Sequence, residues 1–198
     1  NSKTGSLGQV RGFSNTGSDR EGDSAKVLDT NEANPMEAEN QKLRIVKAQP
    51  HHLPRVVELM KELAEYEKMT DELFATKELL ERHLFGDEAS AELLIGFVGS
   101  EIRGYAIYFR KFSSFPGRPG LHLEDIYVQP SARGVGLGKA LFLEVARIAH
   151  EAGCPRLEWI VLNWNQKART FFESLGAEAL EDWIIYRMDE AVLSRLLS

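Results

Sequence analysis

From Leu43 to the C-terminus, the hydrophobic positions follow the periods of strands and helices in turn. Val56, Met60 and Leu63 recur at helical spacing among charged residues, whereas the run from His122 to Val128 is short and mostly apolar. The first pattern predicts an amphipathic helix and the second a buried strand. We predict strands at 43–46, 93–98, 105–112, 122–128, 157–162 and 183–188, with helices around 56–63, 77–84, 141–152 and 166–174 and a short helix at the C-terminus.

The order of these elements predicts the fold class. Strands that alternate with amphipathic helices in this way form a mixed sheet with helices on both faces, which is an α+β architecture. We expect one such domain over residues 43–198. Residues 1–42 hold few large apolar side chains among many Ser, Gly, Asn, Asp and Glu. Because burying so few cannot offset the entropy of ordering, this segment is predicted to be a flexible tail.

Composition and charge narrow the classes of function. The chain of 198 residues is 43% hydrophobic and carries a formal net charge of -6, which opposes binding to nucleic acid. No apolar run approaches the ~18 residues of a spanning helix, so no membrane partner is expected. Cys154 is the only cysteine, and the acidic tail disfavours a targeting peptide, so the predicted location is the cytoplasm. The histidines lack metal-ligand spacing, and no metal is predicted.

A glycine-rich segment, Arg133-Gly134-Val135-Gly136-Leu137-Gly138, lies between the strand at 122–128 and the next helix. Backbone N–H groups and a helix N-terminus in this position form a cradle for an anion such as pyrophosphate. The alternative is a turn that uses glycine for its geometry alone. Two other phosphate motifs do not fit, because the spacing is not G-x-G-x-x-G and because Ala140 follows Gly138-Lys139 where a Walker loop has Ser or Thr.

The glycine loop, residues 133–138, is part of a wider pattern. With the strand Leu123-Glu124-Asp125-Ile126-Tyr127-Val128, Asn165 and Phe171-Phe172-x-x-x-Gly176-Ala177, it resembles the acetyl-CoA signature of the GNAT superfamily of N-acetyltransferases over about residues 43–188. Glu62-Leu63-Ala64-x-Tyr66-Glu67-x-Met69 and Leu162-x-Trp164-Asn165 are similar to the spermidine/spermine and thialysine acetyltransferase branch. The resemblance implies a mostly antiparallel sheet, acetyl-CoA as co-substrate and a homodimer.

The resemblance also implies which residues bind acetyl-CoA. Backbone groups on either side of Tyr127 would bind the pantetheine arm. Gly134 to Lys139 would hold the pyrophosphate, and Asn165 to Ala168 would line the thioester end. The implied acetyl-CoA residues are Ile126, Tyr127, Val128, Arg133, Gly134, Val135, Gly136, Leu137, Gly138, Lys139, Asn165, Lys167, Ala168 and Phe172.

Two consecutive carboxylates, Glu124 and Asp125, lie on the predicted strand at 122–128. Strand alternation predicts that they point to opposite faces, so they would not form a metal pair and one would face the cleft. An alkyl amine of pKa ~10.4 must lose a proton before it attacks, at a cost of about 4.6 kcal/mol at pH 7, and a neighbouring carboxylate suits that task. By resemblance, Glu124 is the catalytic residue, and Tyr66, Glu67, Glu124 and Asp125 bind the cationic amine. The alternative for Glu67 is a solvated helix face.

Phe172 departs from the family, in which this position is usually a tyrosine that protonates the departing CoA thiolate. Tyr127 and Tyr186 are possible substitutes, although each also fits an ordinary strand tyrosine. The leading interpretation is an acetyl-CoA-dependent N-acetyltransferase that acts on a small primary amine, such as a polyamine, diamine or thialysine-like compound, by direct attack on the thioester. The alternatives are a CoA-binding sensor with decayed catalysis, or an enzyme for an aminoglycoside, an amino acid or a protein N-terminus.

Overall fold

The computed structural model describes residues 42–198, so the predicted tail, apart from Lys42, lies outside the described residues. One sheet contains β1 Leu43–Lys47, β2 Glu92–Val98, β3 Glu101–Ser113, β4 Arg118–Val128 and β5 Leu157–Trp159, in that spatial order. The helices are α1 Leu53–Glu67, α2 Lys77–Phe85, α3 Leu137–Glu151, α4 Gln166–Glu173 and α5 Glu190–Leu197. Successive strands from β1 to β4 pair antiparallel, and β5 pairs parallel to β4. The predicted α+β class and mostly antiparallel mixed sheet are confirmed.

The core lies on both faces of this sheet. On one face, Leu141 and Val145 of α3 are fully buried against strand residues such as Leu123. On the other face, Leu53 and Val56 of α1 are fully buried in a second cluster. Since full burial of an aliphatic side chain contributes about 1.5–3 kcal/mol, the two helical stripes anchor α1 and α3 firmly to the sheet. The prediction of helices on both faces is therefore confirmed.

A β-bulge at Glu124 changes the second half of β4. Ile107 lies opposite Asp125 and Tyr108 lies opposite Leu123, so Glu124 has no opposing residue on β3. The extra residue shifts the alternation of side chains by one position. Leu121 and Leu123 before the bulge pack in the α3-side core, and Ile126 and Val128 after it contact that same core.

The bulge also marks the point where β4 and β5 separate. Residues 121–123 of β4 pair with Leu157–Trp159, and the pairing ends there. The predicted strand 157–162 is therefore too long, because Ile160, Val161 and Leu162 continue away from β4 without a strand partner. A gap opens between the two strands beyond this point.

The predicted strand at 183–188 is wrong. The segment has no regular secondary structure, and Trp183, Ile184 and Tyr186 are exposed. Its apolar pattern is typical of a strand, but a strand also needs a hydrogen-bonded neighbour, and within residues 42–198 it has none. The predicted C-terminal helix is confirmed as α5.

Over residues 42–198, no helix is both long and apolar enough to cross a bilayer. The cytoplasmic location stays a prediction.

Candidate active site

A cleft of about 690 Å³ occupies the gap between β4 and β5. Its other walls are the C-terminal end of α1, the glycine loop and the first turns of α3 and α4. Val135 is the one predicted site residue outside the lining, and its side chain is exposed. The cleft brings together the other predicted residues, which are Tyr66, Glu67, Glu124, Asp125, Ile126, Tyr127, Val128, Arg133, Gly134, Gly136, Leu137, Gly138, Lys139, Asn165, Lys167, Ala168 and Phe172.

The glycine loop has the geometry of an anion cradle. Gly134 and Gly136 adopt φ values of 85° and 92°, which side chains other than glycine rarely adopt. No backbone N–H of residues 134–139 donates to another residue that the structure describes. The α3 helix that follows has no side-chain N-cap and no acidic residue in its first turn. These free donors, the positive end of the helix and Lys139 in its first turn fit a pyrophosphate.

Arg133 fixes the loop to the strand that precedes it. Its Nε donates to the carbonyl oxygen of Val128 at 2.9 Å. Its guanidinium also lies 5.4 Å from the ring centre of Tyr66 and 5.7 Å from that of Tyr127. The side chain therefore links the loop, β4 and α1 around the entrance to the cleft.

The edge of β4 that faces the cleft has no strand neighbour beyond Leu123. On its other side, Ile126 and Val128 pair with β3. Backbone groups on an open strand edge can hydrogen-bond an extended molecule as a further strand would. This edge fits the pantetheine arm of acetyl-CoA, which carries two amide groups, and it leads from the glycine loop to the carboxylates.

The expectation that Glu124 and Asp125 point to opposite faces is wrong. The alternation before the bulge places Glu124 on the side opposite Leu123, and the shifted alternation places Asp125 on that same side, together with Tyr127. Both carboxylates line the cleft. The physical reason is the bulge, which gives two successive residues the same facing.

Three carboxylates thus meet at one end of the cleft. Burial, with the negative charges of Glu124 and Glu67 added to it, raises the pKa of Asp125 to about 6. Burial also raises the pKa of Glu67, which is the last residue of α1 because Lys68 adopts a left-handed conformation at φ 60°. A site in which burial and neighbouring negative charges make ionised carboxylates energetically costly favours a cationic ligand.

His122 and Arg187 also line the cleft, and the sequence analysis did not identify them. His122 is buried, with Nε2 3.8 Å from Oε2 of Glu124, and burial lowers its pKa. Its position on the same predicted strand, two residues before Glu124, could have identified it as a neighbour of Glu124 in the site. Arg187 lies 3.5 Å from Glu72 and comes from the irregular C-terminal segment, and no local pattern indicated its place.

The opposite wall of the cleft begins at Asn165. Its Oδ1 accepts the backbone N–H of Ala168 at 3.2 Å and so caps α4, and it also accepts the Tyr66 hydroxyl at 3.2 Å. The Tyr66 ring contacts Trp164, with ring centres 5.6 Å apart. These contacts connect the end of α1 to the start of α4 across the cleft.

Phe172 presents only an aromatic ring to the cleft. It is buried in an aromatic cluster, with ring centres 4.8 Å from Trp159, 5.1 Å from Phe171 and 5.4 Å from Phe142. The structure therefore has no hydroxyl at the position where the resembling enzymes usually have one.

Neither tyrosine suggested from the sequence takes that position. The Tyr127 hydroxyl donates to Oε2 of Glu62 at 3.2 Å, and burial together with Glu62 raises the pKa of Tyr127 to about 12. Tyr186 is exposed and lies outside the cleft lining.

Over residues 42–198, no three His, Cys, Asp or Glu side chains come together as metal ligands.

Known proteins are similar to this chain in sequence and in fold. Residues 53–177 match the acetyltransferase (GNAT) family. Thialysine N-epsilon-acetyltransferase of Caenorhabditis elegans is 32% identical over 154 residues, which cover 76% of this chain and 94% of that protein. Spermidine/spermine N(1)-acetyltransferase-like protein 1 of Homo sapiens is 31% identical over 160 residues, which cover 76% of this chain and 23% of that protein. The structure of an integron cassette protein from the mobile metagenome of V. cholerae superposes with a TM-score of 0.66 at 26% identity. The superposition covers 78% of this chain and 97% of that protein.

The match extends over more than half of the chain, and the mixed sheet, the open edge of β4 and the glycine loop agree with it. The chain belongs to the acetyltransferase (GNAT) family. It is an N-acetyltransferase, similar to the thialysine and spermidine/spermine enzymes, and the family generally uses acetyl-CoA as the acetyl donor.

Proposed function

We propose that this enzyme transfers the acetyl group of acetyl-CoA to a small primary amine that carries a second positive charge, such as a polyamine, a diamine or a thialysine-like compound. The observation that carries the proposal is the meeting of Glu67, Glu124 and Asp125 at one end of a cleft whose other end is an anion cradle. The names of the thialysine and spermidine/spermine relatives support the same class of acceptor. We assign the activity to residues 43–198 as one domain.

Acetyl-CoA would bind along the open edge of β4. The N–H groups of residues 134–139, with Arg133 and Lys139, would hold the pyrophosphate, and backbone groups of Ile126 and Val128 the pantetheine arm. Asn165, Lys167, Ala168 and Phe172 would surround the thioester. This arrangement would direct the acetyl group toward Glu124 and Asp125, which lie directly before Ile126 on the same strand.

The amine would attack the thioester directly. Glu124 would accept a proton from the ammonium group, and Asp125 and Glu67 would hold the cationic acceptor beside Tyr66. The lining residues include neither cysteine nor serine, and Cys154 lies outside the cleft, which supports direct transfer over an acetylated enzyme. Kinetically, direct transfer predicts intersecting initial-velocity lines rather than the parallel lines of a ping-pong mechanism.

A homodimer is part of the proposal. Nine apolar residues between Leu180 and Leu197 are exposed, among them Trp183, Ile184 and Tyr186, and we call them the C-terminal apolar surface. Together they expose on the order of 1,000 Å², which exceeds the ~800 Å² that each partner buries in a standard interface. A second copy of the chain is the occupant that this area supports.

Sedimentation equilibrium tests the homodimer. We expect a dimer for the wild-type protein at micromolar concentration and a shift toward monomer for Trp183→Asp, because an interfacial charge would be desolvated. Leu143→Asp, on an exposed position of α3 outside this surface, is the matched control. A wild-type monomer at tens of micromolar would contradict the proposed interface.

The catalytic proposal is tested by CoA thiol release from acetyl-CoA with a panel of amines. We expect release that depends on the amine, with diamines and thialysine-like amines as the best acceptors. Binding of acetyl-CoA without release for any amine would favour a sensor with decayed catalysis, which the missing hydroxyl at Phe172 motivates. Release with only an aminoglycoside, an amino acid or a peptide N-terminus would overturn the proposed acceptor class.

A further inference from the structure

We propose that Tyr66 donates the proton that the departing CoA thiolate needs, in place of the tyrosine that Phe172 replaces. The inference rests on the proposed function and adds to it a catalytic residue that enters from the opposite wall of the cleft. Phe172 has no proton to give, yet a thiolate of pKa ~8.5 leaves more readily near neutral pH when an acid protonates it.

Four of the chain's five tyrosines are unsuited to this role. Tyr105 and Tyr108 are buried in the core outside the cleft lining. The Tyr127 hydroxyl donates to the carboxylate of Glu62, which lies outside the cleft lining, and Tyr186 is exposed and outside that lining. Tyr66 remains, and it is the only one of the five that both lines the cleft and hydrogen-bonds to a residue of the thioester wall.

Three contacts hold the Tyr66 hydroxyl at that wall. The hydroxyl donates to Oδ1 of Asn165, and the same oxygen accepts the backbone N–H of Ala168. The ring contacts Trp164 on one side and lies under the Arg133 guanidinium. Asn165 and Ala168 are the residues proposed to surround the thioester, so the Tyr66 proton lies on the side of the cleft where the sulfur would be.

Tyr66 would act as the acid when the amine displaces CoA. The amine nitrogen, after losing a proton to Glu124, forms a bond to the acetyl carbon, and the carbon–sulfur bond breaks with its electron pair on sulfur. The Tyr66 O–H proton moves to sulfur and gives CoA as a thiol. After the attack the nitrogen carries a positive charge and two hydrogens, and it loses its second proton to solvent as the carbon–sulfur bond breaks. Solvent returns a proton to the Tyr66 oxygen, and Glu124 releases its proton to solvent. The sum is one acetylated amine, one CoA thiol and one proton from the ammonium substrate.

The test compares four proteins with the best amine from the panel: wild type, Tyr66→Phe, Phe172→Tyr and the double variant. We expect Tyr66→Phe to lower kcat by about tenfold while KM for acetyl-CoA changes by less than about twofold. We expect Phe172→Tyr alone to raise kcat by about tenfold or less, and the double variant to recover to within about threefold of wild type. Tyr186→Phe removes a hydroxyl outside the cleft and is the matched control.

A second readout protects the test against a variant that folds poorly. The solvent deuterium isotope effect on kcat should be larger in the wild type than in Tyr66→Phe, because only the wild type transfers the phenolic proton. A raised KM for the amine with unchanged kcat in Tyr66→Phe would make Tyr66 a binding residue only and overturn the inference, as would equal isotope effects. Absence of wild-type turnover with every amine would instead refute the proposed function.

Discussion

The two ends of the cleft hold charge in different ways. At the glycine loop, the proposed attraction for an anion comes from backbone N–H groups and a helix N-terminus, with Arg133 and Lys139 beside them. At the other end, the proposed attraction for a cation comes from three side chains, Glu67, Glu124 and Asp125, brought together from α1 and β4. The first end depends on local backbone geometry, so one substitution should disable it. The second depends on tertiary assembly, so its residues should affect different kinetic constants.

The largest expected effect is at the glycine end. Gly136→Val should weaken acetyl-CoA binding by at least about a hundredfold, because a β-branched residue disfavours the φ of 92° that presents the N–H groups. Titration calorimetry on the folded variant measures this. The matched control is Gly117→Val, at another positive φ of 66° in the β3–β4 turn with open space around it. An equal loss of affinity in both variants, or none in Gly136→Val, would refute the cradle.

The next largest expected effect distinguishes the roles of Glu124 and Glu67 at the carboxylate end of the cleft. Glu124→Gln should lower kcat by about a hundredfold near neutral pH, and the deficit should shrink toward the amine's own pKa of ~10.4, where no base is needed. Glu67→Gln should instead raise KM for diamines more than for monoamines. Steady-state kinetics of both variants with matched acceptors decides the matter, and equal effects on both constants would contradict this division of roles.

The smallest effect combines function and stability at Asp125. Its pKa of about 6 lies above the ordinary value of 3.8, so the folded state binds this proton more tightly and loses stability as pH rises from about 4 through about 6. Asp125→Asn should therefore stabilise the protein at pH 8, by at most about 3 kcal/mol, and progressively less toward pH 4.

Thermal unfolding as a function of pH checks the stability effect of Asp125→Asn. The same variant should bind diamines about tenfold more weakly at pH 8 and lose the rise in diamine affinity that the wild type shows as pH increases through 6. A variant that is less stable than the wild type at pH 8 would contradict the account of a buried, self-repelling carboxylate.

The glycine loop could be predicted from the sequence because its signal is local, whereas the arrangement of the three carboxylates could be predicted only in part. Nothing in Leu123-Glu124-Asp125-Ile126 marks an extra residue, since the bulge is defined by the pairing of β4 with β3. For that reason the sequence indicated the residues but assigned Glu124 and Asp125 to opposite faces. The strand at 183–188 failed for a related reason, because an apolar pattern cannot specify a hydrogen-bonding neighbour. The Tyr66–Asn165 contact spans 99 residues and has no local signal.

The central claim, that the carboxylate end selects a doubly charged amine for acetyl transfer, is tested most directly by the wild-type ratio of kcat/KM for two acceptors of equal length. The acceptors are 1,4-diaminobutane and 1-aminobutane, and CoA thiol release is the readout. We predict a preference for the diamine of about tenfold or more at pH 8, because its second ammonium group contacts the carboxylates that the first leaves unpaired. Equal values, or a preference for the monoamine, would contradict the claim.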